Sequence, residues 1–230
     1  MSKTQDYIGS ELELFSHAKN WKQYWVSKVR PLIKGPVLEV GAGIGSNTKL
    51  LHSQDILWHQ LEPDTNFYRQ LKNDSKQLNN CKTFHGVLKN HSKTNYQTII
   101  YIDVLEHIEH DGEELNLAAD KLKTGGKVVV LSPAHQSLMS NFDRNIGHFR
   151  RYNKKMLQNI CPSNMFVERQ YYLDSVGLLA SFAARFVKSG NPTLKQILLW
   201  DQFMVPASRL IDSLLFFLFG KTIVTVYEKK

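Results

Sequence analysis

An acidic residue followed by three alternate glycines is the strongest chemical signal in the sequence. Glu39 precedes Gly41, Gly43 and Gly45 in the stretch VLEVGAGIGSNT. Glycines directly after an apolar run let the chain turn tightly, and they let a ligand approach backbone N–H groups without Cβ atoms in the way. A helix predicted to begin near Ser46 would direct its positive end to the same place. The turn therefore predicts a ligand-binding site.

The glycine spacing differs from that of a dinucleotide site. A pyrophosphate site carries G-x-G-x-x-G, whereas this turn reads G-x-G-x-G with an acid ahead of it. The carboxylate of Glu39 is poorly placed for a diphosphate and well placed for a cationic ligand group. The alternative without a ligand is a tight strand–helix junction.

Glu62 supplies a second carboxylate at the end of the next apolar run, in LEPD. A carboxylate at the tip of the second strand suits a bidentate hydrogen bond to a ribose diol. S-adenosylmethionine has a ribose, a cationic sulfonium and an amino group, and it has no phosphate. We therefore predict S-adenosyl-L-methionine as the cofactor and S-adenosyl-L-homocysteine as its product.

Four motifs in order carry a family resemblance. VLEVGAGIGSNT, LEPD, DVLEHIEHD and LKTGGKVVVLSPA together resemble class I S-adenosylmethionine-dependent methyltransferases over roughly residues 32–134. Within that family they look like the bacterial group with LEH after the fourth strand (methyltransferase type 11/12-like). The resemblance implies an α/β fold: a Rossmann-like seven-stranded sheet, its last strand antiparallel, with helices on both faces.

The resemblance also implies which residues bind the cofactor. The implied set follows the first, second and fourth strands and comprises Glu39, Gly41, Ala42, Gly43, Gly45, Glu62, Pro63, Asp103 and Val104. Asp103 and Val104 would form the floor under the methyl group. Family members often carry an acid that contacts adenine after the third strand, whereas HGVLKN has none. Backbone groups and apolar contact at Val87 and Leu88 would then hold the adenine.

The stretch SNFDRNIGHFRRYNKKML, after the fifth strand, is a second candidate site. His148 is the predicted general base because the unperturbed pKa of histidine lies near neutrality. Arg150 and Arg151 would bind a carboxylate or phosphate of the acceptor. A GH.RRY segment recurs here in the resembled group, which implies that Tyr152 also faces the substrate. The alternative is a basic, solvated loop in which Tyr152 packs and Arg151 is salt-bridged.

The loop after the fourth strand completes the predicted chemistry. Asp103 is predicted to be catalytic together with His148, and His107 is predicted to contact the substrate. Either Asp103 or His107 could instead cap the following helix. No metal site is predicted, because His107 and His110 share one loop and no third ligand is apparent nearby. The fourth strand ends in IDVL, not in the NPPY of amino-group methylation, which favours O- or C-methylation.

Strands alternating with helices must position these residues. Apolar runs on both faces of several strands indicate a parallel sheet covered by helices. We predict one domain over residues 1–230, with a helical lid over 1–34 that carries Tyr7, Trp21 and Trp25. A helical insertion or cap over 174–220 would precede the final strand. The 197–220 part of this cap suits a hydrophobic acceptor pocket, a dimer interface, core helices or peripheral membrane contact.

Composition bounds the function. The chain has 230 residues, a formal net charge of +8 and two cysteines, and it lacks the apolar segment of a signal peptide. We predict a cytoplasmic protein, a monomer or homodimer, with contact to the inner face of the membrane left open. The predicted function is methylation of a small-molecule or lipid-linked acceptor. The alternatives are an RNA or protein methyltransferase, although nucleic acid is disfavoured, and a non-catalytic cofactor-binding regulatory or scaffold protein.

Overall fold

Seven strands form a single sheet in the computed structural model, which describes residues 15–184 and 192–230. The strands are β1 (Val37–Val40), β2 (Trp58–Glu62), β3 (Cys81–His85), β4 (Tyr96–Ile102), β5 (Leu122–Pro133), β6 (Met165–Leu173) and β7 (Thr222–Lys229). Their order across the sheet is β3-β2-β1-β4-β5-β7-β6, and β7 is antiparallel to both of its neighbours. The predicted Rossmann-like sheet with an antiparallel last strand is therefore confirmed.

Helices cover the sheet and extend beyond it. Those in the described residues are α1 (Lys19–Val29), α2 (Ser46–Leu51), α3 (Thr65–Asp74), α4 (Asp111–Lys121), α5 (Asn141–Asn145), α6 (Lys154–Asn159), α7 (Ser175–Ala184), α8 (Leu194–Leu199) and α9 (Val205–Leu214). A π-helical segment, Trp200–Met204, joins α8 to α9. A 3₁₀ turn, Leu105–His107, follows β4.

The central strands are buried on both faces, which explains their continuous apolar character. All four residues of β1 are buried. Because side chains alternate along a strand, Leu38 and Ile99 join the core on one face of the sheet. Val37 and Ile100 join the core on the other face. The sheet thus presents the carboxyl ends of β1, β2 and β4 at one edge, where the predicted cofactor residues lie.

The structure moves the boundaries of one predicted helix. The sequence predicts a helix from near Leu105 to the Gly-Gly pair at 125–126, whereas α4 occupies only Asp111–Lys121. Both glycines belong to β5, whose first residue, Leu122, pairs with Tyr96 of β4. Strand pairing therefore takes residues that local sequence assigned to a helix end.

A helical cap lies between β6 and β7, where an insertion was predicted, and α1 packs against it. Two buried carboxylates of the cap bind α1. Asp201 accepts the Trp21 N–H at 2.8 Å, and Asp212 accepts the Tyr24 hydroxyl at 2.7 Å. Residues 1–14, including Tyr7 of the predicted lid, and residues 185–191 of the insertion lie outside the described residues. The lid role of the N-terminal helix stays a prediction.

Candidate functional site

The glycine turn after β1 depends on left-handed backbone. Gly41, Gly43 and Gly45 have φ values of +67°, +55° and +75°, a region that side chains with a Cβ rarely enter. A Cβ on Gly41 would lie 2.7 Å from Cγ2 of Val104, at the end of β4. Glycine therefore allows β1 and β4 to approach closely at the predicted floor of the cofactor site.

Glu62 ties the second strand to this turn. Its carboxylate accepts the Gly43 N–H at 2.7 Å and the Asp64 N–H at 2.8 Å. Burial raises the pKa of Glu62, and the two backbone hydrogen bonds oppose that rise. A carboxylate has about four acceptor positions, so Glu62 keeps capacity for two further donors such as ribose hydroxyls. Ala42, in the same turn, is buried and donates its N–H to Leu61.

Glu39 has one satisfied and one unsatisfied oxygen. Oε2 accepts the Thr48 hydroxyl at 2.5 Å and the Trp58 indole N–H at 2.9 Å. Oε1 is buried and has no hydrogen-bond partner. Burial raises the pKa of Glu39 to about 7, against the effect of the two hydrogen bonds. A buried acceptor without a donor is costly, and a cationic ligand group would satisfy it.

The predicted adenine side divides into exposed and buried residues. Pro63 and Val87 are exposed, and the Gly86 N–H donates to the Glu62 carbonyl at 3.0 Å, which holds the loop after β3 beside β2. Leu88, predicted to contact adenine, is instead completely buried in the core. Its apolar side chain is needed to pack the sheet, so Val87 is the accessible apolar residue of the pair.

These groups fit S-adenosylmethionine. The carboxylates of Glu39 and Glu62 lie on adjacent strands, β1 and β2, on either side of the glycine turn. One carboxylate has a buried oxygen without a donor, and the other has spare acceptor positions. Both features suit a ligand that carries a cation at one end and hydroxyl donors at the other.

The end of β4 places two acids beside the glycine turn. Asp103 has a φ of +54° and an exposed side chain, and its N–H donates to Leu131 of β5 at 2.8 Å. Desolvation by the surrounding protein raises the pKa of Asp103 to about 6, and His148 opposes the rise. Glu106 is completely buried, and its pKa is raised well above the usual range by burial and then by Asp103. Ser132 donates to Glu106 Oε2 at 2.9 Å, whereas Oε1 has no hydrogen-bond partner.

His148 lies between two carboxylates. Its Nδ1 is 3.2 Å from Asp143 Oδ1, and its Nε2 is 3.9 Å from Glu106 Oε1. Its ring packs edge-on against the ring of His107, with centroids 4.5 Å apart. The side chain of His148 is 7% exposed. The structure thus brings the predicted residues Asp103, His107 and His148 together, although residues 103 and 148 are far apart in the chain.

Two arginines of the GHFRRY stretch are already paired. Arg151 contacts Asp143 Oδ1 at 2.7 Å, and Arg150 contacts Asp111 Oδ2 at 2.6 Å. Burial would raise the pKa of Asp143, but hydrogen bonds from His148 and Arg151 hold it well below its usual range. Both predicted substrate-binding arginines therefore have structural partners.

Tyr152 was predicted to face the acceptor and is instead completely buried. Its hydroxyl donates to Asp111 Oδ2 at 2.8 Å and approaches the Leu105 carbonyl at 3.2 Å. Its backbone bonds Pro133 and His135 at the end of β5. Tyr152 therefore docks the GHFRRY stretch onto the turn after β4, and this packing corrects its predicted role.

Glu106, His107 and His148 also form a cluster of metal-ligand type. Their candidate ligand atoms all lie within 4.8 Å of one another. Burial lowers the pKa of His107 to about 4, which leaves its imidazole neutral at pH 7. The sequence prediction of no metal site did not include this cluster, because the third ligand comes from a distant segment.

Sequence reasoning left Glu106 and Asp143 out of the predicted site. A signal for Asp143 was present, since Ser140 and Asp143 have the spacing of a capping box. In the structure their side chains make that box at the start of α5. For Glu106 the neighbouring His107 was the only sign, since its burial against Ser132 depends on the pairing of β4 with β5.

Comparisons with known proteins agree with this geometry. A family model described as "Methyltransferase domain" matches residues 17–172, more than half of the chain. No curated protein matches the chain.

Solved structures resemble the whole fold. A SAM-dependent methyltransferase from Thermotoga maritima aligns at a TM-score of 0.64 with 13% identity, covering 97% of each chain. A SAM-dependent methyltransferase from Archaeoglobus fulgidus aligns at 0.61 with 17% identity, covering 96% of this chain and 100% of that one. Coclaurine N-methyltransferase, solved with N-methylheliamine and SAH, aligns at 0.61 with 12% identity, covering 92% and 72%. At these identities the likeness concerns the fold.

Proposed function

The chain belongs to the methyltransferase domain family and uses S-adenosylmethionine as its methyl donor, and we propose that it methylates oxygen or carbon of a small-molecule or lipid-linked acceptor. The observation that carries this proposal is the position of His148 against Asp143, beside the acids that follow β4. An oxygen or carbon nucleophile carries a proton that must leave, and a positioned histidine is the commonest group that accepts one.

The cofactor, when bound, supplies a methyl group activated by a sulfonium. The chain's own part is to position both reactants and to accept the acceptor's proton. Glu39, Glu62 and the glycine turn bind the cofactor, and Asp103 with Val104 forms the floor of the site. These assignments are supported by the unpartnered Glu39 Oε1 and by the spare acceptor positions of Glu62.

His148 is the proposed base, and Asp143 is its positioning residue. Asp143 lies 3.2 Å from Nδ1 of His148, which leaves Nε2 to accept the proton of the acceptor. The new bond joins the acceptor to the methyl carbon, the carbon–sulfur bond breaks, and S-adenosylhomocysteine leaves with a neutral sulfur. The carboxylates of Asp143 and Glu106 favour the positive charge that His148 gains.

The acceptor class is tested by distributing the methyl label. The purified chain is incubated with methyl-labelled S-adenosylmethionine and the polar, lipid or RNA fraction of a cell extract. Label in the polar or lipid fraction is expected, with the methyl group on oxygen or carbon when the product is identified. Label confined to RNA or protein, or a methyl group on nitrogen, contradicts the proposal.

A chelator separates the base from a metal-ion role of the same cluster. Because the proposal gives His148 a proton-accepting role, prolonged dialysis against EDTA is expected to leave the transfer rate unchanged. A loss of activity that a divalent cation restores would assign Glu106, His107 and His148 to a metal site.

A further inference from the structure

Exposed apolar side chains concentrate on the helical cap. Among the described residues, thirteen of the seventeen large hydrophobic side chains that are exposed belong to residues 179–219. Four of the most exposed are Phe216 at 81%, Leu214 at 76%, Leu210 at 71% and Phe203 at 66%. A soluble monomer rarely exposes a contiguous apolar patch of this kind without a partner for it.

The patch follows one side of a continuous helical run. The segments α8, π and α9 are consecutive from residue 194 to residue 214, a length of about 31 Å at 1.5 Å per residue. Leu199, Phe203, Leu210 and Leu214 are exposed and recur at helical spacing. We call the exposed apolar side chains of residues 198–219 the apolar face.

The end of the apolar face is held in place. Phe216 and Phe217 follow α9 with φ values of +50° and +56°. The Phe217 N–H donates to the Asp212 carbonyl at 2.7 Å, and its carbonyl accepts the Tyr172 N–H at 2.9 Å. Phe216 is therefore presented to solvent by an ordered turn that is bonded to β6.

Charge on and around the apolar face is exclusively positive at the surface. Residues 194–219 contain two acids, Asp201 and Asp212, and both are buried and bound to α1. Their exposed charged residues are Lys195 and Arg209. Helix α1, which packs beside the cap, contains lysines and no acid, and its Lys28 lies 4.4 Å from the ring centre of Phe217. Apolar side chains flanked by cations match a surface of anionic lipid headgroups over acyl chains.

Two other occupants fit less well. Among the described residues, no helix has the length and apolar character needed to cross a bilayer, and the buried Asp201 and Asp212 tie the run to α1. A second copy of the chain would form a two-fold interface in which the same patch meets itself. Lys195 and Arg209 would then face like charges, since the patch exposes no acid to pair with them.

We propose that the apolar face docks the protein on the interfacial layer of an anionic membrane. The run lies along the bilayer surface, Phe216 and Leu214 enter the headgroup–acyl boundary, and Lys195 and Arg209 contact anionic headgroups. The docking goes beyond the methyl transfer and does not depend on it. A membrane surface at the cap suits a lipid-linked acceptor.

Vesicle sedimentation tests the docking with the full chain. The probes are phosphatidylcholine vesicles with and without about 30% phosphatidylglycerol. Wild-type protein is expected to sediment with the anionic vesicles and to be released as salt rises from about 0.05 to 0.5 M. The double variant Leu214→Gln, Phe216→Asn should bind them at least about ten-fold more weakly. Asparagine is chosen at residue 216 because it tolerates a left-handed backbone.

Matched variants separate apolar, electrostatic and non-specific effects. Phe166→Thr removes an exposed phenylalanine from β6 and is expected to sediment like wild type. Lys195→Glu with Arg209→Glu should remove the preference for anionic vesicles. Retained S-adenosylhomocysteine binding shows that each variant is folded.

Three results would overturn the docking. They are no sedimentation of the wild type with either vesicle, unchanged sedimentation of the double variant, and a wild-type dimer in solution that the double variant dissociates. Because sedimentation is read without methyl transfer, its outcome is independent of the proposed function.

Discussion

The imidazole Nδ1 of His148 lies 3.2 Å from Oδ1 of Asp143. Asp143 is almost completely buried and is itself fixed by Arg151 at 2.7 Å and by the capping box with Ser140. Because Asp143 cannot rotate away without breaking these contacts, the orientation of His148 follows from the fold of residues 140–152. This pair is the basis of the first prediction.

Asp143→Asn should lower the turnover number. The substitution keeps the shape of the side chain and removes the charge that orients His148 and favours its protonated form. We expect a loss of roughly 10- to 100-fold, smaller than the loss of a general base, with unchanged affinity for S-adenosylhomocysteine. Steady-state transfer and calorimetric titration measure the two quantities. An unchanged turnover number would remove Asp143 from its positioning role.

Glu62→Gln should weaken cofactor binding. The amide cannot reproduce the acceptor positions that remain on the Glu62 carboxylate, and it must still satisfy the Gly43 and Asp64 N–H groups. We expect S-adenosylhomocysteine to bind about 10- to 100-fold more weakly, in line with hydrogen bonds to a charged group. Glu113→Gln, at an exposed position in α4, is the matched control. Equal affinities for the two variants would contradict the ribose assignment.

Glu39→Gln should change how stability depends on pH. Folding raises the pKa of Glu39 to about 7, so folding favours the protonated form. The stability it contributes is present below the unfolded value and is lost as pH rises through about 7. The wild type should therefore lose up to about 3 kcal/mol of unfolding free energy relative to Glu39→Gln between pH 4.5 and 8.

Urea unfolding of both proteins without cofactor measures this difference. The amide oxygen introduced by Glu39→Gln keeps an acceptor for Thr48 and Trp58, so packing changes are small. Parallel pH profiles for the two proteins would show that Glu39 does not titrate in this range.

Gly41→Ala tests the close approach of β1 and β4. Gly125→Ala is its control, because both residues have positive φ values but a Cβ on Gly125 meets nothing within 4 Å. Left-handed strain alone costs roughly 1–2 kcal/mol, and this is the expected effect of Gly125→Ala. Gly41→Ala adds the contact with Val104, so it should be less stable and should also bind S-adenosylhomocysteine more weakly. Equal effects in thermal unfolding and calorimetry would show that the contact with Val104 is unimportant.

The sequence predicted the sheet because its evidence is local. Apolar strands, the glycine turn and the acids Glu39 and Glu62 are each readable within a few residues, and their order determines the topology. The helix limits around 105–126 were wrong because Leu122 pairs with Tyr96, a contact that no local pattern contains. Tertiary pairing overrides helix propensity there.

The acceptor side was harder to predict for the same reason. Tyr152 shares the polar, basic stretch of His148, yet its hydroxyl is buried against Asp111 and Leu105. Glu106 and Asp143 become parts of one site only when the turn after β4 meets the segment after β5. Burial of single side chains within a basic loop depends on that docking, and neither spacing nor composition encodes it.

The most direct measurement of the account is methyl transfer by His148→Ala. The assay uses saturating labelled S-adenosylmethionine and the acceptor fraction that the wild type labels, with His17→Ala, an exposed histidine, as control. Loss of the base should slow transfer by roughly 10²- to 10⁴-fold, while S-adenosylhomocysteine affinity stays at the wild-type value. Transfer by His148→Ala at the rate of the His17→Ala control would contradict the proposed mechanism.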